Sequence, residues 1–244
     1  MYTSLCFDFG NTRLKCAVFE GKELKEVLVL ENDDTDTVAA ILDQYQPKKA
    51  ILSSVINHHS GLETLLSERT GFHKLGHTSK LPFTTPVGKP ETIGADRLAI
   101  CAAAVDLFPN GHNLAIGLGT CITYNYINKS REFLGGSISP GMTMRFRAMH
   151  EQTALLPMVE PDHHFPLIGF DTKTNLQSGV IMGMAKEIDG IIDAYALKFN
   201  NFNVLLTGGD MAFFVPHLKN RIFADPYRIF KGLYAICEHN ITEI

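Results

Sequence analysis

The first 108 residues alternate short apolar runs with amphipathic stretches, which is typical of an α/β protein. The pattern predicts strands at residues 3–9, 13–19, 24–31, 49–56 and 73–76, and helices at 34–46, 60–71 and 98–108. The last of these helices is apolar on every face, so we expect it to be buried. A loop rich in proline and glycine, residues 81–97, leads into it.

After a turn cluster at residues 109–113, the same plan starts again. The pattern predicts a strand, a Gly-rich turn and a strand over 114–127, strands near 132–138 and 203–210, and helices after residue 141, at 173–198 and at 225–240. Gly10 and Gly119, one in each opening turn, stand 109 residues apart. The sequence therefore predicts two α/β domains of similar plan, residues 1–110 and 111–244.

Each predicted domain opens with a hairpin whose tip carries glycine and threonine. A simple hairpin turn explains Gly10 and Asn11, but it does not explain why Asp8, Thr12 and Lys15 surround the same turn. Backbone N–H groups and threonine hydroxyls at such tips are donors that suit a polyphosphate. A carboxylate there would repel phosphate unless a divalent cation lies between them, so Asp8 indicates Mg²⁺ bound directly or through water.

Asp96 stands between the Pro/Gly-rich loop and the apolar helix. Two interpretations are open. Asp96 is either the N-cap of that helix, or a carboxylate that the helix dipole and Arg97 keep ionised, so that it accepts a proton from a substrate alcohol.

Composition and charge narrow the class of protein. A hydrophobic content of 45% and a charged content of 20% are ordinary for a globular protein. The net charge of −4 gives no electrostatic reason to expect nucleic acid or an anionic membrane as a partner. Five cysteines without a C-x-x-C pair, no leader-like N-terminus and no bilayer-length apolar run indicate a cytoplasmic protein.

Five motifs carry a family resemblance in combination. They are D-F-G-N-T-R-L-K (8–15), G-A-D-R (94–97), L-G-T-C-I-T (118–123), G-G-S-I-S-P-G (135–141) and T-G-G (207–209). In this order they resemble type III pantothenate kinase, of the actin/sugar-kinase-like superfamily. The resemblance implies two ribonuclease-H-like (actin-like ATPase) domains with a nucleotide cleft between them, and a homodimer. It also implies ATP- and Mg²⁺-dependent phosphorylation of pantothenate to 4'-phosphopantothenate, the first step of coenzyme A biosynthesis.

The resemblance also implies roles for individual residues. Asp96 would be the general base, and Asp8 would organise Mg²⁺. The residues implied to bind ATP are Asp8, Phe9, Gly10, Asn11, Thr12, Arg13, Leu14, Lys15, Thr120, Gly208 and Gly209. The residues implied to bind pantothenate are Val87, Gly94, Ala95, Asp96, Arg97 and Thr172.

Three positions depart from the family pattern. Gly117 replaces an aspartate associated with a monovalent cation, K⁺ or NH₄⁺, so the sequence leaves that cation site in doubt. Val87 replaces a tyrosine of the pantothenate pocket, and Asn125 replaces an acidic residue after the second tip. These departures keep two alternatives open: a kinase of another small alcohol, or a nucleotide-binding regulatory relative with weakened catalysis.

Overall fold

The computed structural model describes residues 2–242, which form ten strands and eight α-helices. The strands are β1 (Thr3–Phe9), β2 (Leu14–Glu20), β3 (Glu23–Leu30), β4 (Lys49–Ser54), β5 (Gly71–Lys74), β6 (His112–Leu118), β7 (Cys121–Ile127), β8 (Phe133–Pro140), β9 (Phe202–Thr207) and β10 (Phe223–Ala224). The helices are α1 (Thr35–Tyr45), α2 (Leu62–Arg69), α3 (Ala95–Leu107), α4 (Met142–Glu151), α5 (Thr172–Gln177), α6 (Gly183–Lys198), α7 (Met211–Phe214) and α8 (Arg228–Asn240). The predicted α/β class is confirmed.

The chain folds as two compact units. The first contains the residues up to Asn110, the segment Ile127–Gly135 and the residues from Tyr227 onward, and the second contains Gly111–Tyr126 and Gly136–Pro226. The domain boundary predicted after residue 110 stays a prediction. Two later segments, Ile127–Gly135 and the residues from Tyr227 onward, are grouped with the first unit.

The sheet of the first unit has the strand order β3-β2-β1-β4-β5. The first three strands form an antiparallel meander, and β4 and β5 continue the sheet in parallel. The residues of β1 and β2 are largely buried because the sheet is covered on both faces, which explains the continuous apolar runs in the sequence. α1 and α2 contribute Val38, Leu42, Leu62 and Leu66 to its core.

α3 and α8 also belong to the first unit and pack closely against each other. Every residue of α3 from Leu98 to Val105 is buried, as its apolar sequence predicts. The helices approach so closely that a Cβ added at Gly232 of α8 would lie 1.9 Å from the carbonyl oxygen of Ala99. Glycine is therefore required at this crossing.

The sheet of the second unit has the order β10-β9-β6-β7-β8, with β6, β9 and β10 parallel. Its core lies between this sheet and the helices α4 and α6, around large side chains such as Tyr124, Phe146 and Phe214. One turn of π-helix, Ser178–Met182, joins α5 to α6, so the long helix predicted at 173–198 is present with one widened turn.

Several predicted boundaries are wrong. The fifth strand runs from Gly71 to Lys74 instead of over 73–76, and α3 begins at Ala95 rather than at residue 98. The second correction matters for the chemistry, because it places Asp96 inside the first helical turn. The four-residue helix α7 and the two-residue strand β10 were not predicted, since elements this short have too few residues to show a periodicity.

Candidate active site

The first predicted tip is a tight turn between β1 and β2. Phe9 pairs with Leu14, and the N–H of Gly10 donates to the carbonyl oxygen of Arg13 at 3.2 Å. Asn11, Thr12 and Arg13 are exposed at the end of the turn, so a ligand can reach their polar groups. Below the turn, Asp8 and Lys15 are directly opposite each other on the antiparallel strands.

Asp8 also faces the neighbouring parallel strand. It pairs with Ser53 of β4, whose hydroxyl donates to the Asp8 carboxylate at 3.4 Å. Burial and, to a smaller extent, the negative charge of Asp96 raise the pKa of Asp8, while Lys15 and the Ser53 hydrogen bond lower it, so that the pKa is about 6. The fold therefore brings two carboxylates close together in a site that is largely removed from water.

Asp96 is the second residue of α3, and the N-cap is Gly94. The N-cap interpretation of Asp96 is therefore wrong. The Asp96 carboxylate turns back over the chain: a Cβ at Gly94 would lie only 2.5 Å from its Oδ1 atom. Gly94 is thus the residue that allows the carboxylate to adopt this position.

The helix end and Arg97 are not the largest influence on the pKa of Asp96 in the folded protein. Burial raises the pKa of Asp96, although hydrogen bonds from the backbone N–H groups of Arg97 and Asp96, and the positive charge of Arg97, lower it. A carboxylate with a raised pKa is a better proton acceptor than an exposed aspartate. Its predicted role as general base stays a prediction.

The second unit gathers three glycine motifs around the tip Gly119–Thr120. The N–H of Gly119 closes the turn on the carbonyl oxygen of Cys121 at 3.1 Å, and both tip residues are exposed. A Cβ at Gly141 would lie 2.2 Å from the Gly119 carbonyl oxygen, and one at Gly208 would lie 2.2 Å from that of Leu118. Gly208 also has a φ of +110°, which favours glycine.

These contacts explain why the motifs L-G-T, S-P-G and T-G-G contain glycine. The three turns come into backbone contact, and Gly209 remains exposed beside them. Exposed glycine backbone of this kind allows close approach by a flat or anionic ligand. Thr120 therefore lies in the same region of the second unit as Gly208 and Gly209, which follow it about 90 residues later in the sequence.

The position that lacks the family aspartate is buried in the sheet of the second unit. Gly117 in β6 pairs with Thr207 in β9, whose hydroxyl is buried without a hydrogen-bond partner. Nearby in sequence, Asn125 is buried and its side chain donates to the carbonyl oxygen of Ala115 and to the hydroxyl of Thr123. The buried side chains of Thr207, Thr123 and Asn125 are all neutral.

The residues predicted to bind pantothenate lie on different elements. Val87 is half-buried in the loop before α3, and Ala95 and Arg97 lie in the first turn of that helix. Thr172 is exposed at the start of α5 in the second unit, where Asp171 caps the helix through the N–H of Thr174 at 2.7 Å.

Two residues of the first unit were missed by the sequence analysis. Ser53 contacts Asp8, and Phe133 lies under Arg97 with its ring centroid 5.5 Å from the guanidinium carbon. Neither belongs to a recognisable motif. The one signal for Ser53 was that a polar pair, Ser53-Ser54, ends an otherwise apolar strand.

The donor set around Asp8 suits hydrated Mg²⁺. Burial and the negative charge of Asp96 raise the pKa of Asp8, so a divalent cation would relieve the repulsion between the two carboxylates, and Ser53 adds a hydroxyl oxygen. Within residues 2–242 no group of three or more His, Cys, Asp or Glu side chains is arranged to hold a metal ion. The site therefore fits an ion that keeps most of its water and also binds phosphate, and not a metal held by protein ligands alone.

Comparisons with known proteins agree with the fold and the motifs. The family model described as type III pantothenate kinase matches residues 4–194. A type III pantothenate kinase of Christiangramia forsetii is 39% identical over 98% of this chain and 100% of its own length. One of Bacteroides fragilis is 38% identical over 97% of this chain and 98% of its own.

A solved structure, a putative 2-dehydro-3-deoxygalactonokinase of Sinorhizobium meliloti, superposes with a TM-score of 0.62 at 12% identity, covering 98% of both chains. This likeness shows a shared fold. Since the family model spans most of the chain and the curated relatives align with nearly all of it, the chain belongs to the type III pantothenate kinase family.

Proposed function

We propose that this protein transfers the γ-phosphoryl group of ATP to the primary hydroxyl of pantothenate, giving 4'-phosphopantothenate for coenzyme A biosynthesis. The observation that carries the proposal, beside family membership, is the Asp96 carboxylate. It is folded back over Gly94 at the start of a buried helix, close to a second carboxylate on a phosphate-binding type of turn.

Asp96 is the general base of the proposed reaction. Its carboxylate orients the pantothenate hydroxyl and accepts its proton as the phosphoryl group is transferred in line. The rigid first turn of α3, in which Gly94 is the N-cap, fixes the carboxylate before substrate binds. Such preorganisation lowers the barrier because no reorientation is needed during reaction.

In each unit, backbone N–H groups and side chains at a glycine-containing tip are the proposed contacts for ATP. Gly10 to Arg13 supply the exposed turn of the first unit, with Lys15 behind it, and Thr120, Gly208 and Gly209 supply the exposed region of the second. Asp8 would hold Mg²⁺, which would supply positive charge to offset the phosphates. Ser53 holds the Asp8 carboxylate in place.

Activation by K⁺ or NH₄⁺ is not part of the proposal. Gly117 supplies no carboxylate, and the buried side chains of Thr123, Asn125 and Thr207 are neutral. An ionised carboxylate is the strongest oxygen ligand that a protein side chain offers a cation, and this position lacks one. We therefore expect the rate to depend little on either ion.

The working form is proposed to be a homodimer. In the second unit, Ile168 and Phe170 are 83% and 82% exposed, and the neighbouring Leu167 is exposed as well. Three large apolar side chains in four residues are costly to leave in water and favour burial against another chain. A second copy is the occupant that the family resemblance implies.

The proposed location is the cytoplasm. All five cysteines are free thiols, which fits a reducing compartment. Within residues 2–242, no helix combines the length and the apolar character needed to cross a bilayer.

The decisive experiment measures product formation by mass spectrometry with ATP, Mg²⁺ and pantothenate. The Asp96→Asn variant should lose activity by roughly 10²-fold or more while still binding ATP. Asp106→Asn, an exposed change at the other end of the same helix, is the matched control and should retain activity. ATP binding without product would favour a regulatory relative, and turnover with a different alcohol alone would reassign the substrate.

A further inference from the structure

Phe133 lies where the loop that carries Val87 meets the first turn of α3. The ring of Phe133 is 1% exposed, and the guanidinium carbon of Arg97 lies over it, 5.5 Å from its centroid. This distance is within the range of a cation–π interaction, which strengthens as the pair is removed from water. All of the groups involved belong to the first unit.

The position of Arg97 is not explained by the stability of its helix. It lies in the first turn of α3, where the helix dipole disfavours a cation. The Phe133 ring offsets part of this cost. The ring lies against the face of the guanidinium group, whereas the guanidinium N–H groups point outward in its plane. This geometry suits hydrogen bonds from Arg97 to carboxylate or hydroxyl oxygens.

The backbone of Phe133 holds the preceding loop. Its N–H donates to the carbonyl oxygen of Thr84 at 2.8 Å, and the N–H of Thr84 donates to the carbonyl oxygen of Arg131 at 2.8 Å. These two bonds form a parallel bridge between the loop and the start of β8. The bridge lies three residues before Val87 and restricts the path of the loop toward α3.

The turn that carries Phe133 is itself closed by hydrogen bonds. The Asn128 side chain donates to the Glu132 carboxylate at 2.6 Å and accepts from the Glu132 N–H at 3.0 Å, and Arg131 adopts a left-handed φ of +59°. A turn with this many local bonds has few alternative conformations. Phe133 is therefore held in a fixed position with respect to both Thr84 and Arg97.

We propose that Phe133 is a positioning residue for pantothenate binding: its ring fixes the guanidinium of Arg97 and its N–H fixes the loop that carries Val87. The inference rests on the proposed function, in which Val87 and Arg97 contact pantothenate. Phe133 does not touch the substrate. It sets pantothenate affinity through the two groups that do.

The first test measures KM for both substrates in Phe133→Leu and Phe133→Met, which keep apolar volume and lose the aromatic face. We expect KM for pantothenate to rise about three- to ten-fold, the effect of losing one cation–π contact, and KM for ATP to change less than about two-fold. Phe133→Tyr keeps the ring face and should restore most of the affinity. Equal changes in both KM values would overturn the proposal.

Phe19→Leu is the matched control. Phe19 is also fully buried in the first unit, and its ring lies 5.2 Å from the ammonium nitrogen of Lys231, which has no proposed role in the site. The substitution removes a similar aromatic–cation contact at the opposite end of β2 from the first tip. A rise in KM for pantothenate in this variant would mean that general loosening of the core accounts for the effect.

A double-mutant cycle with Arg97→Ala separates positioning from a purely structural role. If Phe133 acts through Arg97, Phe133→Leu should change KM for pantothenate less than about two-fold in the Arg97→Ala background. The same fold-change in both backgrounds would overturn the proposal. Failure of the proposed function is distinct, because it would show as absence of pantothenate phosphorylation in the unmodified protein.

Discussion

Replacing Asp8 with asparagine should stabilise the protein when metal and nucleotide are absent. Burial and the charge of Asp96 raise the pKa of Asp8 from 3.8 to about 6 in the folded state. Two pKa units correspond to about 3 kcal/mol by which the ionised carboxylate disfavours folding at pH 8. Asparagine removes the charge, and its amide oxygen can still accept the hydrogen bond from Ser53.

The sign of the pH dependence follows from the direction of the shift. A carboxyl group with a raised folded-state pKa favours folding at low pH, and this advantage is lost as pH rises through about 6. The gain from Asp8→Asn should therefore approach 3 kcal/mol at pH 8 and fall to about a third of that at pH 4.5. For a chain of this size, the gain at pH 8 corresponds to a rise in Tm of roughly 6–12 °C.

Thermal and urea unfolding in EDTA at the two pH values measures this effect. Asp106→Asn, an exposed change, should alter the free energy of unfolding by less than about 0.5 kcal/mol. Adding Mg²⁺ and ATP should raise the Tm of the unmodified protein more than that of the variant, because we propose that Asp8 contributes to Mg²⁺-dependent binding. The reasoning is refuted if Asp8→Asn gives no gain at pH 8, or the same gain at both pH values.

Three further changes test other parts of the structure. Gly117→Asp should introduce activation by K⁺ or NH₄⁺, since the new carboxylate would stand beside Thr207 on the paired strand. Strong K⁺ activation of the unmodified protein in steady-state assays would contradict this expectation. Gly232→Ala should lower the free energy of unfolding by about 1–3 kcal/mol, because the added Cβ would meet the backbone of Ala99; an unchanged urea midpoint would disprove the close crossing. Phe170→Asp should convert dimer to monomer in sedimentation equilibrium, and a monomeric unmodified protein would exclude the proposed interface.

The local shape of the two tips was predictable from sequence because it depends on neighbouring residues. The apolar run before Gly10 predicted a strand over 3–9, and the structure has β1 over Thr3–Phe9. The Gly-Thr tip at Gly119–Thr120 likewise lies between two strands as predicted. Turn chemistry of this kind is short-range, so a single sequence contains the information.

The electrostatics of the site were not predictable in the same way. Asp8 and Asp96 are 88 residues apart in the sequence, and their proximity depends on how β1 and α3 pack in the folded unit. The helix dipole and Arg97 indicated a lowered pKa for Asp96, but burial outweighs both. How far the Asp96 carboxylate is removed from water depends on the whole fold, so it cannot be predicted from a local motif.

The start of α3 was misplaced for a related reason. Proline and glycine made residues 81–97 resemble one continuous loop, yet Gly94 acts as the N-cap and the helix begins at Ala95. Glycine is required at position 94 because a Cβ there would meet the Asp96 carboxylate, and not because the loop is flexible. The contact between Phe133 and Arg97 was invisible for the same reason, since it joins residues from separate segments of the first unit.

The packing of α3 against α8 affects the order in which parts of the chain can fold during synthesis. The ribosome delivers α3 before the second unit, and α8 only after every residue of that unit has been made. The second unit can thus bury its core while the first still lacks the helix that covers α3. Because Asp96 is carried by α3, the proposed general base of a nascent chain reaches its folded position only after α8 has emerged and docked.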